Sequence, residues 1–236
     1  MKHLDLFSGI GGFALAAKWL GIETVAFCEI EEFCQKVLKK NFPHIPIHKD
    51  VRNTDEFEQY RGVNLVSAGY PCQPFSVAGL RKGEDDDRHL WPSVLEIIKR
   101  LNPEWFLGEN VAGHINMGLD EVLFDLESQG YTARPIVIPA CAVNALHRRD
   151  RVWILAHNSG GRRKGSRQNT IQGKRGLSGV KDGGRAPALK ELRDIHSPWL
   201  CRTSNGVSNR LDRTRGLGNA IVPQVAYEIM KAMINQ

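Results

Sequence analysis

The amino-acid sequence predicts an α/β fold, a mostly parallel sheet with helices on both faces. Three observations lead there. Short apolar runs of strand length alternate with longer segments of helical periodicity through residues 1–156, the pattern of strands joined by crossover helices. A glycine-rich turn, Ser8-Gly9-Ile10-Gly11-Gly12-Phe13-Ala14, follows the first apolar run and opens a helix. Polar and reactive residues then fall directly after apolar runs, and in parallel sheets ligands bind beyond the C-terminal strand ends.

Taken in order, HLDLF (3–7), TVAFC (24–28), VNLVSA (63–68), WFLGE (105–109), ARPIVIP (133–139) and VWILA (152–156) read as buried strands. Helical periodicity spans 11–20, 31–40, 92–101 and 118–129, with Pro92 suited to a first helical turn. The composition changes after residue 156. Residues 157–187 are rich in Gly, Arg, Lys and Ser, with no aromatic, and are expected to stay loose without a partner because they bury too little apolar area. Val222, Val225, Ala226, Ile229, Met230, Met233 and Ile234 share one helical face, predicting a helix over 222–234 that docks on the body. The organisation is therefore a body over 1–156, a basic region over 157–210 and a returning segment over 211–236.

With 42% hydrophobic residues among 236, the chain can bury a core of ordinary size. No window approaches ~18 consecutive apolar residues, and the first residues lack the apolar stretch of a signal peptide. A soluble cytoplasmic protein with no membrane contact is expected. The five cysteines (28, 34, 72, 141, 201) form no C-x-x-C pair, so neither a disulfide framework nor a metal site is indicated. The net charge of +6 is unevenly spread. Residues 157–190 hold nine Lys/Arg against the single acid Asp182, leaving 23 basic and 25 acidic residues elsewhere. Such a stretch is the footprint of phosphate contacts or else a solvated loop.

The glycine turn lets backbone N–H groups approach a nucleotide, and Glu29, after the second strand, can accept ribose hydroxyls. A nicotinamide enzyme would look the same at this point. Asp50 is a further candidate acid for the nucleoside. The discriminating element is Gly69-Tyr70-Pro71-Cys72-Gln73-Pro74-Phe75-Ser76, directly after VNLVSA. An isolated cysteine is usually a small buried hydrophobe. Here two prolines bracket it and stiffen the loop, which suits a nucleophile needing a set position.

These blocks, with Asp87-Arg88-His89-Leu90, Glu109-Asn110-Val111, His147-Arg148-Arg149-Asp150-Arg151-Val152 and Gly218-Asn219-Ala220-Ile221-Val222-Pro223, resemble in order the signature blocks of the cytosine-5 DNA methyltransferases. The resemblance implies a Rossmann-like S-adenosylmethionine-dependent methyltransferase fold. It places the methionine end of S-adenosyl-L-methionine at Phe7, Ser8, Gly9, Ile10, Gly11 and Gly12, and the nucleoside at Glu29 and Asp50 with their neighbours Ile30 and Val51. Pro71, Leu90, Asn219 and Ala220 complete the implied cofactor set. Cys72, Glu109, Arg149 and Arg151 form the implied catalytic set. There are two departures from the family pattern. His147 stands where glutamine is usual, and no ninth block is legible. Residues 157–210 therefore form a reduced target-recognition region.

The chemistry explains why these residues must meet. Cytosine C5 is a poor nucleophile until a thiolate adds at C6 and converts the ring to an enamine. The resemblance assigns the thiolate to Cys72 and contact with N3 and the exocyclic amine to Glu109. A carboxyl that donates to N3 needs burial to raise its pKa, whereas Cys72 needs the opposite shift, for which Arg149 and Arg151 are the candidate cations. Base flipping from double-stranded DNA is implied, with Arg81 and Lys82 in the closing loop 76–90 and Arg162, Arg163, Lys164 and Arg167 on phosphates. A restriction endonuclease or a separate specificity subunit is the implied protein partner, with a monomeric chain of prokaryotic or phage origin. RNA cytosine methylation, a non-catalytic DNA-binding subunit and a nicotinamide oxidoreductase are the alternatives.

Overall fold

Seven strands form one sheet in the computed structural model, which describes residues 1–71, 90–143, 145, 149–158 and 220–235. All of these belong to one compact unit, Met1–Arg163 with Asp212–Gln236. The elements in chain order are β1 (Lys2–Leu6), α1 (Gly12–Trp19), β2 (Glu23–Cys28), α2 (Glu32–Asn41), β3 (Ile47–His48), β4 (Leu65–Ala68), α3 (Trp91–Leu101), β5 (Trp105–Val111), α4 (Leu119–Ser128), β6 (Tyr131–Pro139), β7 (Asp150–Asn158) and α5 (Pro223–Ile234). Short 3₁₀ helices lie at Thr54–Tyr60, Ala112–Asn116 and Ala140–Val143.

The strand order is β3-β2-β1-β4-β5-β7-β6. Strands β3 to β5 run parallel, while β7 is antiparallel to both β5 and β6. The parallel arrangement places the ends of β1, β2, β4 and β5 along one edge, and the segments after them carry the residues of interest.

Alternation along the central strands explains how both faces are covered. Leu4 and Leu6 of β1, Val66 and Ala68 of β4, Phe106 of β5 and Val152 and Ile154 of β7 join one core with Val94, Ile97 and Ile98 of α3 and Val122 and Leu126 of α4. On the opposite face Leu65, Leu107 and Trp153 pack with Phe13, Ala16 and Ala17 of α1 and Val225, Ala226, Ile229, Met230 and Met233 of α5. Phe13 meets Trp153 edge-on, 6.0 Å between ring centres. The α3 pattern Val94, Ile97, Ile98, Leu101 is the 3.6-residue stripe that buries a helix on a sheet. Truncating one of these fully buried aliphatics to Ala should cost about 2–5 kcal/mol.

One polar seam crosses this apolar interior. His3 bridges the strands, with Nδ1 3.0 Å from Thr24 Oγ1 and Nε2 2.8 Å from Ser67 Oγ. Ser67 donates to Asp5 Oδ1 at 2.7 Å. The Ser, His and Asp of a hydrolase are thus present, but His3, Asp5 and Ser67 are fully buried and closed to substrate. Their work is to tie β2, β1 and β4 together.

Two sequence expectations are corrected. The run 133–139 reads as a buried strand, yet β6 is the sheet's edge and leaves Ile136 and Val137 about half exposed. The apolar periodicity is the same for edge and centre, and Pro135 is tolerated because, among the described residues, no further strand pairs with β6 to need its missing N–H. Ile234 ends α5 facing outward at 47% exposure, because the buried stripe stops at Met233. The two-residue β3 and the 3₁₀ helix at Thr54–Tyr60 are too short to carry a period legible in sequence.

Candidate active site

The turn after β1 is shaped by backbone geometry that few residues adopt. Phe7 and Gly9 both have positive φ, at 54° and 53°. A Cβ added at Gly9 would meet nothing within 4 Å among the described residues, which leaves space beside this glycine. At Gly12 the constraint is close packing instead, since a Cβ would lie 2.6 Å from Ile221 Cγ1. The Ser8 hydroxyl is turned inward and donates to the Asp5 carbonyl at 2.6 Å, so Ser8 holds the turn's shape. Ile10, Gly11, Gly12 and Leu15 form one wall of a cavity of about 370 Å³, and Arg149 and residues 220–223 form the other.

Glu29 stands where β2 ends. Its Oε2 accepts the Gly9 N–H at 2.6 Å and its Oε1 accepts the Glu31 N–H at 2.8 Å. Burial raises its carboxyl above the ordinary value, and these two N–H groups offset part of that rise. Each oxygen keeps a lone pair, so Glu29 can still accept two hydroxyls. Gln35 donates to the Glu29 carbonyl at 2.7 Å and fixes the backbone there. Ile30 beside it is 64% exposed. Asp50 is held by Arg52, whose Nε and Nη2 donate at 2.9 and 2.8 Å, and this guanidinium keeps its carboxyl below the ordinary value. Val51 packs into the core, so only its backbone is available to a ligand. Pro71 and Leu90 border residues 72–89 and are half-buried.

Glu109 lies near the end of β5 and is 7% exposed. It faces the segment leading to the cysteine: a Cβ built on Gly69 would stand 3.9 Å from Glu109 Oε2. Arg151 on β7 brings Nε within 2.9 Å of Glu109 Oε1. The antiparallel register makes this pairing, since Glu109 opposes Trp153 and Val111 opposes Arg151. Burial raises the Glu109 carboxyl; the charges of Arg151 and then Arg149 pull it back. Arg149 itself has a positive φ of 37° and donates through Nη2 to the Ala220 carbonyl at 2.7 Å. The two arginines, read from sequence as neighbours of Cys72, thus have Glu109 and Ala220 as partners among the described residues.

Cys72, Arg81, Lys82, Arg162, Arg163, Lys164, Arg167 and Asn219 lie outside the described residues. The described residues bring together the glycine turn, Glu29, Gly69, Pro71, Glu109, Arg149, Arg151 and Ala220. Sequence reasoning missed three residues at the same edge. Asn110 Nδ2 donates to the Tyr70 carbonyl at 3.0 Å, and Tyr70 Oη lies 3.0 Å from His114 Nε2. The available signal was a histidine inside an otherwise apolar-to-small stretch after Glu109.

Comparison with known proteins bears on the family and the fold. Residues 1–197 match the model of the C-5 cytosine-specific DNA methylase family. The Type II methyltransferase M2.BsuMI of Bacillus subtilis is 35% identical over 165 residues, covering 66% of this chain and 42% of that protein. The Type II methyltransferase M.HpaII of Haemophilus parainfluenzae is also 35% identical, covering 67% and 46%. Among solved structures, the S. pombe Dnmt2 methyltransferase superposes with a TM-score of 0.60 at 26% identity, over 69% of this chain and 52% of that one. The matches cover less than half the length of these curated relatives. The family match runs over most of the chain, and the chain belongs to the C-5 cytosine-specific DNA methylase family.

Proposed function

We propose that the chain methylates cytosine at C5 in duplex DNA, using S-adenosylmethionine and a covalent adduct between Cys72 and cytosine C6. The observation that carries this reading is the Glu109 carboxyl. It is buried, shifted upward by desolvation, paired to Arg151 at 2.9 Å, and set against Gly69 three residues before Cys72. A carboxyl so placed can hold a proton against a ring nitrogen and offset the charge that develops when a thiolate adds to the ring.

The residues present fit the cofactor. Gly9 leaves open space, and the two remaining lone pairs of Glu29 suit a pair of ribose hydroxyls. Asp50, after the neighbouring strand β3, offers a further acceptor. S-adenosylmethionine would supply an electrophilic methyl group on a sulfonium centre. Glu29 and the 9–12 turn would hold it. Cys72 would form the bond to C6, Glu109 would bind the pyrimidine edge, and Arg151 would keep Glu109 oriented. Methyl transfer to C5, loss of the C5 proton and elimination of the thiolate complete the cycle. The target base leaves the duplex for this chemistry. Arg81, Lys82, Arg162, Arg163, Lys164 and Arg167 supply the phosphate contacts in this reading.

The test is direct. The purified chain is incubated with labelled cofactor and either unmodified duplex DNA or tRNA, and 5-methylcytosine is mapped by sequencing. Duplex DNA containing 5-fluorocytosine should form an adduct at Cys72, and Cys72→Ser should abolish both adduct and transfer. Methylation of tRNA alone would move the substrate to RNA. An adduct at another residue, or an active Ser variant, would overturn the assignment.

A further inference from the structure

We propose that Tyr70 and His114 are positioning residues: a hydrogen-bonded clamp between the end of β4 and the segment after β5 that sets where the cysteine segment begins. Its catalytic consequence rests on the function proposed above. Tyr70 is two residues before Cys72, and Pro71 between them fixes one backbone dihedral. The position of Tyr70 therefore sets where the segment carrying Cys72 starts.

The clamp has a defined donor and acceptor. His114 Nδ1 lies 3.1 Å from the Met117 carbonyl oxygen, which can only accept, so Nδ1 carries the proton. Burial lowers the His114 pKa, leaving the ring neutral with Nε2 as acceptor. Tyr70 Oη, 3.0 Å away, donates to it. Both residues are almost fully buried, at 3% and 2% exposure. The Tyr70 ring is located by Trp91 at 5.2 Å and by the His114 ring, edge-on, at 5.5 Å. Trp91 is in turn anchored through Nε1 to Asp125 at 2.8 Å.

A second tie holds the same point through the backbone. Asn110 donates to the Tyr70 carbonyl at 3.0 Å while its Oδ1 accepts the Val111 N–H at 2.9 Å. Asn110 follows Glu109 directly. The strand that carries the Glu109 carboxylate thus also holds the backbone at Tyr70, from which the cysteine segment continues. Apolar packing alone would fill the space without fixing the ring's direction. The Tyr70–His114 hydrogen bond is directional, so it favours one orientation of the ring where packing alone would allow several.

Tyr70→Phe removes only the hydroxyl and keeps the packing, so folding should be retained. Three readouts follow: cofactor affinity by calorimetry, alkylation of Cys72 by iodoacetamide followed by peptide mass spectrometry, and the rate of adduct formation with 5-fluorocytosine DNA. The expected result is unchanged cofactor affinity, an altered alkylation rate at Cys72 and adduct formation slowed by up to about a hundredfold, the scale of a ~1 Å misplacement of a reacting group. His114→Gln, which keeps an acceptor for the hydroxyl, should recover much of the rate that His114→Ala loses. Parental alkylation and adduct rates in Tyr70→Phe would overturn the clamp. If the parent itself traps no DNA, the proposed function fails, and the alkylation comparison still decides whether the clamp positions Cys72.

Discussion

Arg151→Met keeps most of the arginine stem and removes its charge, leaving Glu109 in a site that is 7% exposed. At roughly 4 Å between charge centres and an effective dielectric of ~20, the lost attraction is about 4 kcal/mol. The Arg151 side chain is 20% exposed, so water screens part of it. Arg149 also remains as a second positive neighbour. Removing one partner of a buried pair usually costs about 3–5 kcal/mol, and the lower end is expected here. The penalty should depend on pH in a stated direction. Burial already raises the Glu109 carboxyl above its ordinary value of 4.5, and Arg151 is the largest influence lowering it, so the variant raises it further. A carboxyl raised on folding contributes its stability below the unfolded value and loses it as pH climbs through the folded value. The variant's deficit is therefore greatest in alkaline solution and shrinks as pH falls toward the unfolded value. Urea melts of the parent, Arg151→Met, Glu109→Gln and the double variant, followed by tryptophan fluorescence across that range, measure it. The double variant should recover most of the loss, since a neutral amide needs no counterion. A deficit equal at both ends of the range, or no relief from Glu109→Gln, would refute the pairing as the source.

Four further outcomes are expected elsewhere in the molecule. Gly12→Val puts a side chain where Ile221 Cγ1 stands 2.6 Å from the ideal Cβ, and should destabilise by about 1–3 kcal/mol in denaturant melts. Asp5 is raised by burial from 3.8 to about 7, so its contribution fades as pH rises between those values; Asp5→Asn should gain on the parent over that range and level off above it, as thermal melts at several pH values would show. Glu29→Ala removes the acceptor of two backbone N–H groups and of the proposed ribose contacts, and calorimetry should show S-adenosylmethionine binding weakened by about 1–3 kcal/mol. Neutralising Arg162, Arg163 and Lys164 together should weaken DNA binding across sequences and flatten the slope of log K against log salt by roughly 0.9 for each phosphate no longer neutralised. An unchanged slope would assign that stretch to a solvated spacer.

The sequence alone determined the α/β class and the glycine turn, because each is a local pattern, a period of strand or helix or a motif of adjacent residues. Strands β1, β2, β4 and β5 and helix α5 were legible for the same reason. Glu29 was legible as an acid following a strand, and Glu109 only through the resemblance to the family's ordered blocks. What only the tertiary structure decided depends on register between distant segments. Glu109 and Arg151 meet because β7 runs antiparallel beside β5, and no sequence period states which strands will be neighbours. Tyr70 and His114 are 44 residues apart, and each looks ordinary until β4 and the segment after β5 are laid side by side. The same holds for β6, whose apolar run suits a central strand but sits at the edge, with Ile136 and Val137 outward. Burial and pKa follow from that assembly, since the desolvation that raises Glu109 and Asp5 comes from elements that the chain supplies far away in sequence.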